Sequence, residues 1–474
     1  MRAYRVSKRM LLQIAVFIVM CAVFGCTKEK KSSEETVKPS LENKVAATSV
    51  VLATIADDET AGAVSEHQKD QNAEEPSADI VIDINKFGKG AAYIAKVGKR
   101  ECVVHNGVRG KFYDSIESFT LTVSPDGQRV GYGAKNGDTN YVVIDGVEKG
   151  PFTDRGRIAF SPDSKHVAYD AKINDIWYMH VDGVKRTQVT RGFDRPLFSS
   201  NSSKVAYVEV NDSTGAYQLV ISDIKLTKSL TIPIIDPDVK IDSGKTAIAA
   251  LVKDNNARRA VVFDFNKSVK TSTGKAYDEI HQLTFNDDGT ALAYIGVKDK
   301  ASFLVFKDSI EPLPDALYPW PFVVCPDNQS VGIFVVNDLG RKKYTAYLHH
   351  AFTDKRVDGK VYKEGAQLAY NKDGKHYAYV AIQNEKLCIV VDGKEGPFFD
   401  FAINPVFSPD SRFVVYRARE NGKRFVVISD LNGKVIRRSP SYERVFEPTF
   451  TEDGRSVAYG VLDGKKIMWK VEKL

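Results

Sequence analysis

Along most of this chain short apolar runs alternate with polar punctuation, and one arrangement keeps returning. Phe160-Ser161-Pro162-Asp163-Ser164-Lys165-His166-Val167-Ala168-Tyr169 recurs nearly letter for letter as Phe407-Ser408-Pro409-Asp410-Ser411-Arg412-Phe413-Val414-Val415-Tyr416. Looser copies begin at Val123-Ser124-Pro125-Asp126-Gly127 and Phe450-Thr451-Glu452-Asp453-Gly454. Each copy reads as a strand, a tight turn and a second strand with apolar residues at every other position. The turn residues fit this reading, because Asp accepts hydrogen bonds from nearby backbone N–H groups and Gly tolerates a positive φ.

The tyrosine of the second strand serves as a ruler. It stands at Tyr93, Tyr132, Tyr169, Tyr207, Tyr294, Tyr379, Tyr416 and Tyr459, with Ile248 and Ile333 in two equivalent places, at steps of 37 to 46 residues. A third strand follows and ends in Asp-Gly, as at Asp145-Gly146 and Asp392-Gly393. A fourth, weaker strand is expected around Gly150-Pro151-Phe152 and Gly396-Pro397-Phe398. Four short strands repeated every forty-odd residues predict an all-β fold, a β-propeller of about ten modules. The count leaves one large ring or two smaller rings open, and a split would fall near residues 236–280, where the repeat is most worn. The last module has room for only three strands, so an N-terminal strand is expected to complete it. Residues 50–55 and 80–84 are the candidates, the second favoured because it adjoins the ring.

The Ser-Pro-Asp turn followed by Val-Ala-Tyr resembles the WD-like repeats of TolB-type β-propellers over residues 79–474. That resemblance implies four-stranded TolB-like blades and action through protein partners of the cell envelope. The α/β domain that precedes the propeller in TolB proper is not expected here, since residues 27–78 are too few and too polar.

The ends and the charge refine the picture. Arg2, Arg5, Lys8 and Arg9 precede an apolar stretch at 10–20 that ends in Gly25-Cys26. This is the pattern of an export signal over residues 1–26, and its end resembles a bacterial lipobox, which implies acylation of Cys26. An uncleaved transmembrane anchor is the competing explanation. Thr27 rather than Asp implies attachment to the outer membrane, facing the periplasm, rather than to the inner membrane. Residues 27–78 hold six lysines against eleven acids and almost no aromatics, and read as a flexible tether. The formal charge of +6 therefore divides into a basic signal, an acidic tether and a mildly basic propeller, well short of a nucleic-acid-binding balance.

Candidate chemistry is sparse. There is no Gly-x-Ser-x-Gly, His-Glu-x-x-His or Cys-x-x-Cys, and Gly244-Lys245-Thr246 lacks the earlier glycine of a phosphate loop. His349 and His350 are neighbours on a predicted strand and face opposite ways. The recurring Asp126, Asp163, Asp410 and Asp453 sit where turns need an acceptor. Cys102, Cys325 and Cys388 have no metal-ligand spacing, and no catalytic residue, metal or cofactor is expected.

Two features suit a partner. Tyr318 and Trp320 lie on a connection stiffened by Pro314, Pro319 and Pro321, and large rings on rigid loops are typical of binding hot spots. The turns between second and third strands carry Arg258, Arg259, Arg341, Lys342 and Lys343, which would make one rim positive unless the charges are merely solvated. The sequence reading is thus a monomeric, non-enzymatic envelope lipoprotein whose propeller binds protein. The alternatives are a channel that binds a small ligand or sugar, and a propeller that gates a separate hydrolase.

Overall fold

A computed structural model of the chain describes residues 47–61, 82–84, 88–187, 191–211, 213–286, 288–307, 309–313, 322–338, 344–352, 360–451 and 453–474. These residues form ten antiparallel sheets, each a meander of strands called a to d from inside to outside. The third blade shows the plan: Asp154–Phe160 (a), Val167–Ile173 (b), Ile176–Val181 (c) and Val184–Thr187 (d) pair in that order. The d strand begins immediately after the Asp-Gly turn, earlier than expected; in the second blade it is Val147–Phe152. The seventh blade shows three strands among the described residues.

Ten blades make one β-propeller ring, and the packing explains why. The described core divides into ten apolar clusters, one at each junction between neighbouring blades. Each cluster contains one member of the tyrosine series, with Ile248 and Ile333 filling the same place between the fourth and fifth and the sixth and seventh blades. The worn stretch near 236–280 is as continuous as the rest: Ile234 packs on Ile248 and Phe263, and Leu251 on Tyr277 and Ile280. Neighbouring blades touch through their a strands, as Asp154–Phe160 does with Arg191–Phe198, so these strands converge on the central channel.

The closing strand is Ala47–Thr54, which takes in most of the less favoured candidate, residues 50–55. It pairs antiparallel along Lys466–Lys473 as the d strand of the tenth blade. The favoured candidate instead supplies Ile82–Ile84, which pairs with Ala91–Tyr93 and shares the a position of the first blade with Thr60–Ala61. The seam is then sealed like any other junction, by Ala53, Ile55, Tyr93, Cys102, Leu462 and Ile467. Glu59, 8 % exposed, follows directly. It accepts hydrogen bonds from the Tyr93 hydroxyl at 2.7 Å and Arg109 Nε at 2.8 Å.

The Ser-Pro-Asp turns also tie blades together. Ser161 Oγ donates to Asp163 Oδ1 at 2.5 Å, and the same carboxylate accepts from Lys165 N at 3.1 Å. Ser164 sits at φ +63°, in the left-handed region, and its Oγ accepts from Asp126 N of the preceding blade at 3.0 Å. Ser202 (φ +58°) does the same for Asp163 N at 3.2 Å. Serine therefore trades strain for an inter-blade bond at a position where Gly127 and Gly374 avoid the strain. Ser164→Ala, which loses the bond and keeps the strain, is expected to cost about 1 kcal/mol. Ser164→Gly loses the bond but relieves strain of similar size, so its unfolding midpoint should stay close to wild type. Equal losses in the two variants would remove the clasp from the argument.

Candidate functional site

The channel is where unusual side chains meet. Most a strands slip register against their b partners, as between Glu117 and Thr122, Arg155 and Ile158, Ala366 and Ala369, and Ile403 and Val406. A slip loops residues out of the ladder and re-aims them. In the second blade Thr120 fills the gap, its Oγ1 donating to Glu117 O at 2.6 Å and accepting from Gly133 N at 2.7 Å. That leaves Phe119 53 % exposed, a large ring at the channel wall. In the next blade the slip presents Arg157, whose guanidinium carbon lies 5.8 Å from the Phe119 ring centre. A cation over an aromatic face is attractive by itself, and here it fixes a flat, half-exposed pair on rigid strands. Arg195 occupies the equivalent slip of the fourth blade and is also exposed.

Across the ring the slips carry amides. Gln367 and Asn404 stand at φ +51° and +59°. Asn404 N donates to Gln367 Oε1 at 2.7 Å, and Asn404 Nδ2 donates to Glu447 Oε1 at 2.5 Å. Arg417 donates to Val445 O at 3.2 Å, and its burial holds its pKa below the ordinary arginine value. The channel wall thus has an aromatic–guanidinium sector and a carboxamide–carboxylate sector. Both are suited to binding; neither pairs a nucleophile with a base.

Many titratable groups elsewhere have structural employment. The hydroxyls of Ser124 and Thr451 hold Asp126 and Asp453 below the usual carboxylate range, and Asp410 accepts from Ser408 Oγ at 2.7 Å. His166 and His376 each lie 2.6 Å from the Asp-Gly aspartate of their own blade, Asp182 and Asp392. His349 and His350 do face apart: His349 meets Glu311 at 2.7 Å, and His350 packs against Tyr370 and Tyr377. His180 stacks on Tyr169 with centroids 4.8 Å apart, and burial lowers its pKa to about 4. Cys102, Cys325 and Cys388 are buried free thiols; burial raises the first two to about 11 and the third to about 12. Among the described residues no group of His, Cys, Asp and Glu is placed to hold a metal, and no helix is long and apolar enough to cross a membrane.

Of the residues proposed from sequence, Cys26, Tyr318, Trp320, Arg341, Lys342 and Lys343 lie outside the described residues. Arg258 and Arg259 lie at the turn between b and c strands of the fifth blade, both half-buried. Arg259 Nε bonds Asp254 at 2.5 Å and its Nη1 bonds Gly274 O at 3.0 Å, while the Arg258 backbone N donates to Tyr277 O at 2.8 Å. Other bases on this face are paired too: Lys172 with Asp175, Lys386 with Asp400, Arg438 with Glu420, and Lys465 with Asp57. Phe119 and Arg157 escaped the sequence reading. The available signal was local: Phe119 breaks the alternation of Ser115–Val123, which marks a slip without saying where it points.

The architecture defines the class, a β-propeller. No family model matches the chain, and no curated protein does. Solved structures similar to it include a eukaryotic initiation factor (13% identity, 74% of this chain and 96% of the other, TM-score 0.44). TolB from Acinetobacter baumannii is 17% identical over 60% of this chain and 77% of its own, with TM-score 0.28. The β-propeller domain of the Trilobed protease from Pyrococcus furiosus is 14% identical over 60% and 96%, with TM-score 0.34.

Proposed function

We propose that this chain is a non-enzymatic scaffold of the cell envelope, anchored by a lipid on Cys26, whose propeller binds a protein partner. The observation that carries the proposal is the Phe119–Arg157 pair, exposed on channel-lining strands that the ring holds rigid. Aromatic and arginine side chains on a pre-organised surface are the groups that dominate protein interfaces. The recurring turn aspartates support the same reading, because Asp163 and Asp410 are already held by the hydroxyls of Ser161 and Ser408.

The test is crosslinking and pull-down from intact envelopes, with wild type beside Phe119→Ala/Arg157→Ala. Tyr318→Ala/Trp320→Ala and Arg258→Ala/Arg259→Ala are compared in parallel. A specific partner whose recovery falls about tenfold or more in the first variant, with the fold intact, is the expected result. Undiminished recovery moves the partner site elsewhere, and no partner in any sample removes the scaffold. The second reading is a small polar ligand such as a sugar in the channel. It is favoured by the row Gln367, Asn404 and Glu447, which presents carboxamide and carboxylate groups side by side.

A further inference from the structure

We infer that the ring lies with one particular face, the one carrying the a–b and c–d turns, against an anionic lipid surface. This rests on the anchored-envelope reading above and adds an orientation to it.

The chain itself marks the face. Ala47 pairs with Glu472, and Leu474 N bonds Arg455 O in the last a–b turn. Residues 1–46 therefore join the ring at the a–b turn face. Twenty residues separate Cys26 from Ala47, so an acylated Cys26 would keep this edge within about 70 Å of the bilayer. A tether of that length holds the ring at a high effective concentration near lipid, and weak contacts then suffice to orient it.

The same face carries a group of exposed lysines. On the a–b turn face the carboxylates accept hydrogen bonds from backbone N–H groups of their own turns, and Asp264 also pairs with Lys267. Asp163 accepts from Lys165 N, Asp182 from Val167 N, and Asp223 from Thr227 N and Lys228 N. Asp242 accepts from Thr246 N and Ala247 N, and Asp264 from Lys267 N. Lys165, Lys185, Lys225, Lys228 and Lys270 of the same turns are exposed, the Lys185 ammonium lying 4.5 Å from the Tyr178 ring centre. They occupy the third to fifth blades, while the chain enters at the tenth, so contact at both places lays the ring flat. The b–c turn face carries exposed lysines too, Lys298, Lys300 and Lys423, but it lies away from the edge where residues 1–46 join the ring. Attraction to an anionic leaflet accumulates with each base near the surface and fades within a Debye length, so only the face turned to the lipid gains from it. An acidic protein partner is the less favoured source, because these lysines are spread over three blades.

The full chain, purified in detergent and added to preformed vesicles, tests the orientation. One set is phosphatidylcholine alone and the other contains roughly 30% phosphatidylglycerol, the anionic fraction supplying the surface potential. Lysines are labelled with an amine-acylating reagent and read by peptide mass. Labelling of Lys165, Lys185, Lys225 and Lys228 should fall about threefold on the anionic vesicles and recover in ~0.5 M salt. Lys298, Lys300 and Lys423, exposed on the opposite face, should label equally on both. Lys165→Glu/Lys225→Glu/Lys228→Glu should abolish the protection of Lys185. Equal labelling on the two vesicle types, or protection of the Lys298 set, overturns the inference. Flotation with the neutral vesicles reports the anchor separately: a chain that floats there without lysine protection keeps its anchor and loses this orientation. A chain that floats with neither set loses both.

Discussion

Ile55→Asp should open the ring. Ile55 is 7 % exposed, belongs to the apolar cluster at the seam, and its N donates to Lys465 O at 2.7 Å. An aspartate there buries a charge among Ala53, Tyr93, Leu462 and Ile467, or draws Ala47–Thr54 off the tenth blade. Either way the loss of stability should be on the order of 4 kcal/mol. Hydrogen exchange should show the location: amides of Lys466–Lys473, which have Ala47–Thr54 as their outer neighbour, lose protection first. Val50→Asp is the control, because Val50 is on the same strand but 57 % exposed and should change stability by less than about 0.5 kcal/mol. If the two variants behave alike, the seam is not closed by this strand.

Much of this fold was legible because its repeating part is chemical. The tyrosine series locates every junction, and the two isoleucines that replace it keep the junction apolar, so the count of ten survives the worn repeats. The closing strand was harder. Nearness to the ring favoured 80–84, but the outermost strand of the last blade has to lead straight into the innermost strand of the first. Ala47–Thr54 achieves this with only residues 55–59 before Thr60–Ala61. The first inner strand then comes in two pieces, Thr60–Ala61 and Ile82–Ile84, divided where other blades slip register. Site chemistry was least legible. Arg259 looks like a free rim charge until Asp254 is seen beside it, and Phe119 looks like core until Thr120 turns inward and leaves it out.

Arg155 should be the most sensitive charged residue between the second and third blades. Its side chain is 1 % exposed; Nη1 meets Glu117 at 2.6 Å and Nε donates to Tyr141 O at 3.1 Å. Nη2 has no hydrogen-bond partner, so the guanidinium depends heavily on Glu117. The two partners are not equivalent, because Glu117 is 36 % exposed and keeps contact with water. Glu117→Gln should therefore cost about 3–5 kcal/mol, since it strands a buried cation. Arg155→Met should cost clearly less, because it fills similar volume with apolar atoms and leaves Glu117 to be solvated. Gly133 makes the arrangement possible: a Cβ there would lie 2.5 Å from Arg155 Nε. Gly133→Ala should displace the guanidinium and approach the Glu117→Gln loss, and adding Arg155→Met should recover a large part of it. Equilibrium unfolding of the single and double variants gives the coupling directly. Additive losses for Gly133→Ala and Arg155→Met would show that the glycine is needed for the strand itself, and the buried cation would no longer explain it.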